Sequence, residues 1–209
     1  MPGLREFNRR RTREAISHTA TRLFLARGFD TVTIAEVAAA AGVAKMTVTN
    51  HFPRKEDLVL DIADDLIAAP GRVVAERAPG ESPPAALHRD LFEALDRHDA
   101  ALGFSGPDFA AMLLGSPALL ARLREIHEQR EDALAAALVE AGDDETSARL
   151  TAAYLTATYR VLFTEVLRRT AAGEPDDSIA AHVRSTARRA FDLLAPGLEP
   201  VEATAPTRS

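Results

Sequence analysis

Glycines, prolines and hydroxyl caps divide the 209-residue chain into intervals with helical periodicity, and no period-two run of β-branched and aromatic residues stands out as a strand. An all-α fold of about nine helices follows. A first helix is expected over residues 6–27, with Ile16, Ala20, Leu23 and Phe24 on one face and Gly28 at its left-handed C-terminal position. Thr33-Ile34-Ala35-Glu36 reads as a capping box, in which the Thr33 hydroxyl accepts the Glu36 N–H and the Glu36 carboxylate accepts the Thr33 N–H. The second helix carries Ile34, Val37, Ala38 and Ala41 as its stripe and stops at Gly42. A third covers Lys45 to Phe52, before Pro53. A fourth is expected from Arg54 to Ala69, where Pro70-Gly71 ends or kinks it because proline lacks the N–H and clashes with the preceding turn. Ser82-Pro83 and Ser116-Pro117 each join a hydroxyl cap to a first-turn proline and start helices over 83–101 and 117–141, with a short helix over 107–115 between them. Helices over 145–172 and 177–195 complete the series. Residues 196–209, rich in Pro, Thr and Glu, are expected to be a disordered tail.

Charge is distributed unevenly. Residues 1–60 hold 10 basic and 6 acidic side chains and the remainder holds 15 and 25, so a +4 end sits on a −10 body. A local basic surface is what a polyanion meets, whatever the total charge; a solvated face and a ragged terminus explain the same numbers. With no cysteine there is no disulfide scaffold and no thiol catalysis. No apolar run reaches membrane-spanning length, and Met1-Pro2-Gly3-Leu4-Arg5 lacks the apolar core of a signal peptide, so a soluble, cytoplasmic protein without membrane contact is expected.

Two short helices joined at Gly42 have helix-turn-helix spacing. In such a unit the second helix enters the major groove and the first crosses the phosphate backbone. Lys45, Met46, Thr47 and Asn50 are then the candidates for base contact. Asn pairs bidentately with adenine, Lys donates to guanine, and the methyl groups of Thr or Met meet the thymine methyl. Thr49 and His51 on the same helix are further DNA-binding candidates, while Val43, Val48 and Phe52 face inward. Arg9, Arg10, Arg11 and Arg13 form a cationic cluster that can extend as an arm along the adjacent minor groove.

The stretch Arg13 to Leu58 resembles the DNA-binding domain of the tetracycline-repressor family. The agreement rests on Ala26-Arg27-Gly28-Phe29, Thr33 to Ala38, Ala41-Gly42-Val43, Thr47, His51-Phe52 and Lys55-Glu56-Asp57-Leu58. The resemblance implies a homodimeric repressor that binds double-stranded operator DNA and is released by a small effector. It also implies phosphate contacts at Thr33 and Lys55. Two positions depart from the pattern: Ala44 replaces a Ser or Thr cap, and Thr49 an aromatic. The chain then divides into a helix-turn-helix domain over 1–54, an effector-binding and dimerisation domain over 55–195, and the tail.

In the body, the eighth helix is apolar nearly all round. The ninth carries a stripe of Ile179, Val183, Ala187, Phe191 and Leu194, and these last two long helices together suit a homodimer interface of four helices, two from each copy, the alternative for the stripe being intrachain core. Leu95, Phe109, Met112, Leu113, Tyr154 and Thr158 are the candidate lining of an effector site for a largely hydrophobic molecule, the alternative being a closed core. His127, between Glu125 and Glu128, reads as part of a solvated face. No metal-ligand spacing, nucleophile elbow or phosphate loop appears, so no cofactor, metal or catalytic residue is assigned. A helical enzyme, or a protein-binding adaptor with a degenerate DNA-binding domain, are the competing classes.

Overall fold

The computed structural model describes the backbone of residues 3–198 and the side chains of that span except Leu4 and residues 194–198. The described chain is all-helical, with α1 (Leu4–Arg27), α2 (Ile34–Ala40) and α3 (Lys45–His51) forming an N-terminal head. A C-terminal body follows: α4 (Ala63–Ala75), α5 (Pro83–Asp96), α6 (Pro107–Gly115), α7 (Pro117–Glu140), α8 (Glu145–Ala171) and α9 (Asp176–Leu198). Helix starts follow the caps read from the sequence. Ser82 and Ser116 accept backbone N–H groups at α5 and α7, and Asp144 does so at α8.

Several boundaries differ from expectation, each for a local reason. Glu6 in the first turn suits the positive end of the α1 dipole, and the helix extends back to Leu4, so Arg9, Arg10, Arg11 and Arg13 lie on a helix rather than in an extended arm. The expected fourth helix does not begin at Arg54. The Arg54 N–H donates to Asp57 Oδ2 at 3.2 Å, Glu56–Leu58 forms a 3-10 turn, and α4 starts only at Ala63. Asp57, Leu58, Val59 and Leu60 are all buried, and four consecutive residues cannot share one face of a helix. Further on, α4 runs through Pro70, because that buried ring packs beside Leu87, Leu134 and Leu155 and tertiary contact outweighs the lost hydrogen bond. Finally, α5 stops at Asp96, and Asp99 caps a separate 3-10 turn, Ala100–Leu102. Gly103 (φ 110°) follows on the surface of α8, where a Cβ would stand 3.1 Å from Val166 Cγ1 and 3.2 Å from the Leu167 nitrogen. Only glycine fits there.

The last helix continues past Ala195 to Leu198, three residues into the expected tail. Its Pro196 falls in the final turn, where the carbonyl it leaves unpaired belongs to the exposed Asp192 and can meet water. The tail beyond Leu198 lies outside the described residues.

One apolar cluster joins head and body: Ile16, Phe24, Val37, Val48 and Phe52 of the head pack with Leu58, Leu113, Leu123, Ile126 and Leu167. A second fills the space among α4, α5, α7, α8 and α9. The α9 stripe belongs to this second cluster. Ile179, Val183, Ala187 and Phe191 are buried within one chain, so these four residues form intrachain core and not a seam between chains, and Leu194 is outside the described side chains. The exposed apolar side chains of these two helices are Leu150, Tyr154 and Val161, which run along α8, and Leu193 near the end of α9.

Candidate nucleic-acid interface

The capping box forms as the sequence implies. Thr33 Oγ1 accepts the Glu36 N–H at 3.2 Å and also donates to Glu36 Oε2, which accepts the Thr33 N–H at 2.8 Å. The Thr33 N–H, then the Arg27 guanidinium 2.7 Å from the other oxygen, hold the Glu36 carboxyl down to about 2. The Thr33 hydroxyl and N–H are therefore both engaged within the head. After α2, Gly42 (φ 67°) makes the turn, and α3 begins at Ala44 with no side-chain cap.

Helix α3 has two unlike faces. Val48 and the following Phe52 are wholly buried, and the half-buried Val43 packs on the same core. Lys45, Met46 and Asn50 point to solvent, Met46 being 69% exposed, with the half-buried Thr47 beside them. Thr49 turns back on its own helix: its hydroxyl donates to the Met46 carbonyl at 3.1 Å and approaches that of Lys45 at 3.4 Å. Such bonding ties the side chain to the helix and away from an outside partner.

Arg9, Arg10 and Arg11 are exposed on α1, and Arg10 pairs loosely with Glu14 at 3.7 Å. Arg13 is a brace. Its guanidinium donates to the carbonyls of His51 at 2.5 Å and Asp61 at 3.1 Å, and lies 4.3 Å from the centroid of the Phe52 ring. His51 is pushed below its ordinary value by burial first and then by Arg9 and Arg13. Lys55 precedes the 3-10 turn rather than a long helix; its Nζ donates to the Asp30 carbonyl at 3.4 Å and sits 4.4 Å above the Phe29 ring. One of its three N–H bonds is engaged there and two remain.

The head is clasped to the body by charge. Arg122 of α7 donates to Asp57 Oδ1 at 2.9 Å and to Glu125 at 3.0 Å, and Glu125 also pairs with Arg54. Hydrogen bonds from Arg122, then Arg54, hold Glu125 below the usual carboxylate range.

The six residues expected to line an effector site are not gathered. Leu95 is wholly buried in the body cluster, Tyr154 and Thr158 lie toward the outer side of α8, and Met112 borders a groove with Phe24 and Phe29. Phe109 and Leu113 do share a cavity of about 410 Å³, which α1, α4, α6, α7 and α8 enclose with their connecting loops. A neighbouring cavity of about 290 Å³ lies among α4, α5, α7 and α8 and is lined by Asp90, Arg130 and Tyr159. Arg130 is half-buried, 4.3 Å from the Tyr159 ring centroid. Burial pushes both Asp90 and the Tyr159 phenol up, and the phenol donates to the Leu87 carbonyl at 3.4 Å. Nothing in the sequence reading selected these groups. The available signal was Arg130 at a core position of α7, four residues from both Ile126 and Leu134. His127, expected on a solvated face, is instead half-buried edge-on to Phe163 at 5.7 Å, and burial holds it down to about 4.

Residues 16–62 match the model of the bacterial regulatory proteins of the tetR family. The chain is 33% identical over 139 residues to the HTH-type transcriptional regulator TcmR of Streptomyces glaucescens, a match that covers 64% of this chain and 62% of that relative's length. Among solved structures it is similar to NalD, the secondary repressor of the MexAB-OprM multidrug efflux pump in Pseudomonas aeruginosa, with a TM-score of 0.58 at 21% identity over 88% of this chain and 96% of that one. A TetR-family regulator of Streptomyces coelicolor superposes over 92% of this chain and 98% of its own, with a TM-score of 0.51 at 24% identity. The structural likenesses show the fold, and the similarity to the tetR family of bacterial regulatory proteins covers residues 16–62, the helix-turn-helix and its supporting core.

Proposed function

We propose that the protein is a homodimeric transcriptional repressor that holds operator DNA through α3 and releases it when a small molecule binds the body. The observation that carries this reading is the division of α3: its inner face is locked by Val48 into the core while Lys45, Met46 and Asn50 stand free on the outer face. A rigid helix presenting a donor cation, a thioether and an amide fits direct readout of base edges in the major groove. Arg9, Arg10, Arg11 and Lys55 are the proposed phosphate contacts, which position the head without reading sequence. The head is assigned to residues 1–54 and the effector and dimer functions to 55–195, with Leu58 and Leu60 of the second segment completing the core of the first.

The proposed dimer face is the outer side of α8. Leu150, Tyr154 and Val161 are 53%, 47% and 58% exposed, and with Ala157 they form one stripe at spacings of four, three and four residues. A two-fold pair of heads then asks for a nearly palindromic operator whose half-sites lie about one helical turn, roughly 34 Å, apart. The proposed effector site is the cavity bordered by Asp90, Arg130 and Tyr159. An effector that lowers operator affinity 100-fold must favour the DNA-incompetent state by about 2.7 kcal/mol, and operator must weaken the effector by the same factor.

Selection of duplexes from a random pool, followed by salt titration of the winning sequence, tests the reading. The expected result is one palindromic consensus whose affinity falls linearly in log salt. A helical enzyme or a protein-binding adaptor would enrich no sequence, and that outcome would overturn the proposal.

A further inference from the structure

We propose that the effector is an anionic amphiphile whose acidic oxygens meet Arg130 while its apolar part passes Ile62, Leu66 and Ala101 into the second cavity, against the DNA-binding head. This inference rests on the effector-binding role proposed for the Arg130 cavity. Its first support is the state of Arg130. Other arginines of the same wall are paired, Arg97 with Asp99 at 3.4 Å and Arg72 with Asp65 at 3.8 Å. Arg130 is the most deeply buried of the three and closes no ion pair with a carboxylate among the described residues. A guanidinium keeps its charge at any working pH, and a buried charge without a counter-ion is costly, so the site favours whatever brings one. Asp90 shares the cavity but closes no ion pair with Arg130 among the described residues, so an anion that reaches the guanidinium directly meets it more closely than Asp90 does. The planar donors of Arg130 suit a carboxylate, a sulfonate or an ionised enol.

The second support is continuity. Ile62, Leu66 and Ala101 border both the 290 Å³ cavity and the 410 Å³ one, so the two spaces meet along a common wall. The larger space is lined chiefly by apolar groups, among them Leu60, Phe109, Leu113, Leu123, Phe163 and Leu167. Ser17 and Thr21 of α1 close its far side, so whatever fills it bears directly on the helix that braces α3 through Arg13. A chamber with charged groups beside an apolar one, separated only by Ile62, Leu66 and Ala101, suits a ligand with a charged end and a hydrophobic body.

Two fluorescent probes that differ in one group test this: 8-anilinonaphthalene-1-sulfonate and N-phenyl-1-naphthylamine, which lacks the sulfonate. The full-length protein should bind one sulfonate probe per protomer, about tenfold or more tighter than the uncharged probe, as a charge-assisted contact over a neutral one implies. Arg130→Gln should weaken the sulfonate probe alone and Arg130→Lys should retain part of the difference. Ala101→Phe, which narrows the passage, should weaken both probes together. Unchanged affinity for the uncharged probe in Arg130→Gln, with a cooperative thermal melt, shows that the variant is folded. Equal affinities in the parent protein, or a difference that survives Arg130→Gln, overturn the anion assignment; unaltered binding in Ala101→Phe overturns the second chamber. Operator binding is measured separately without probe. Probes that discriminate on a protein selecting no duplex support the cavity chemistry and overturn the regulatory role, whereas operator binding with undiscriminated probes does the reverse.

Discussion

Asn50 and Lys55 are five residues apart and are held very differently. The Asn50 amide is exposed on α3 with no hydrogen-bond partner among the described residues, so its donor and acceptor are both available to a base edge. Lys55 is steadied over Phe29 and against the Asp30 carbonyl, which fixes a point charge beside the loop leading into α2. A fixed charge attracts phosphate whatever the sequence, while an amide pair discriminates. Lys55→Ala should weaken operator variants evenly and make the salt slope shallower by about one unit. Asn50→Ala should relax preference at one base pair per half-site, at a cost of about 1–3 kcal/mol for the preferred base. Fluorescence anisotropy against a panel of single-base operator variants at several salt concentrations separates the two; a common loss with unchanged selectivity would remove the distinction. Thr49 was legible only as a departure from the aromatic usual at its position. That its hydroxyl folds back on the Met46 carbonyl depends on a rotamer, which residue type leaves open.

Among elements, the 3-10 turn Glu56–Leu58 has the most to lose, since it connects head to body through one strong side-chain contact. Asp57 and Arg122 meet at 2.9 Å with side chains only 12% and 14% exposed. Arg122→Ala leaves the Asp57 carboxylate buried with only the Arg54 N–H, and should lower stability by about 2–3 kcal/mol. Because the lost contact crosses from α7 to the head, amide hydrogen exchange should rise first in residues 54–62; uniform change along the chain would mean that the clasp is not local. This turn also marks where the sequence stopped being informative. Capped starts such as those at Thr33, Ser82 and Ser116 are written within a few consecutive residues and could be read directly. The late start of α4 and its passage through Pro70 are decided by what Leu58, Leu60 and Pro70 pack against, and those partners are distant in sequence. The Arg130 cavity was hidden for the same reason, because Asp90, Arg130 and Tyr159 come from α5, α7 and α8 and none forms a motif on its own helix.

At the scale of the whole molecule, the α8 and α9 surfaces divide their work in a way that periodicity alone did not resolve. Both helices carry apolar stripes. That of α9 is consumed inside the chain, where Val183 and Ala187 are wholly buried, whereas α8 has enough apolar positions to serve the core through Leu155, Leu162 and Val166 and still present Leu150, Tyr154 and Val161 outward. The two stripes therefore make opposite predictions for the same kind of substitution. Val161→Asp removes no core contact and places a charge where a second copy would pack, so it should yield a folded monomer with unchanged helical content. Phe191→Asp buries a carboxylate beside His88, whose ring lies 4.6 Å from that of Phe191, and should instead unfold the body, with a loss of several kcal/mol. Sedimentation velocity and thermal melting of the two variants decide between the surfaces. A dimeric Val161→Asp protein would overturn the α8 face, and a folded, monomeric Phe191→Asp protein would return the interface to α9. If the α8 face holds the dimer, Val161→Asp should also lose most of its operator affinity while a single half-site duplex binds parent and variant alike, because each head keeps its own contacts and only the link between them is lost.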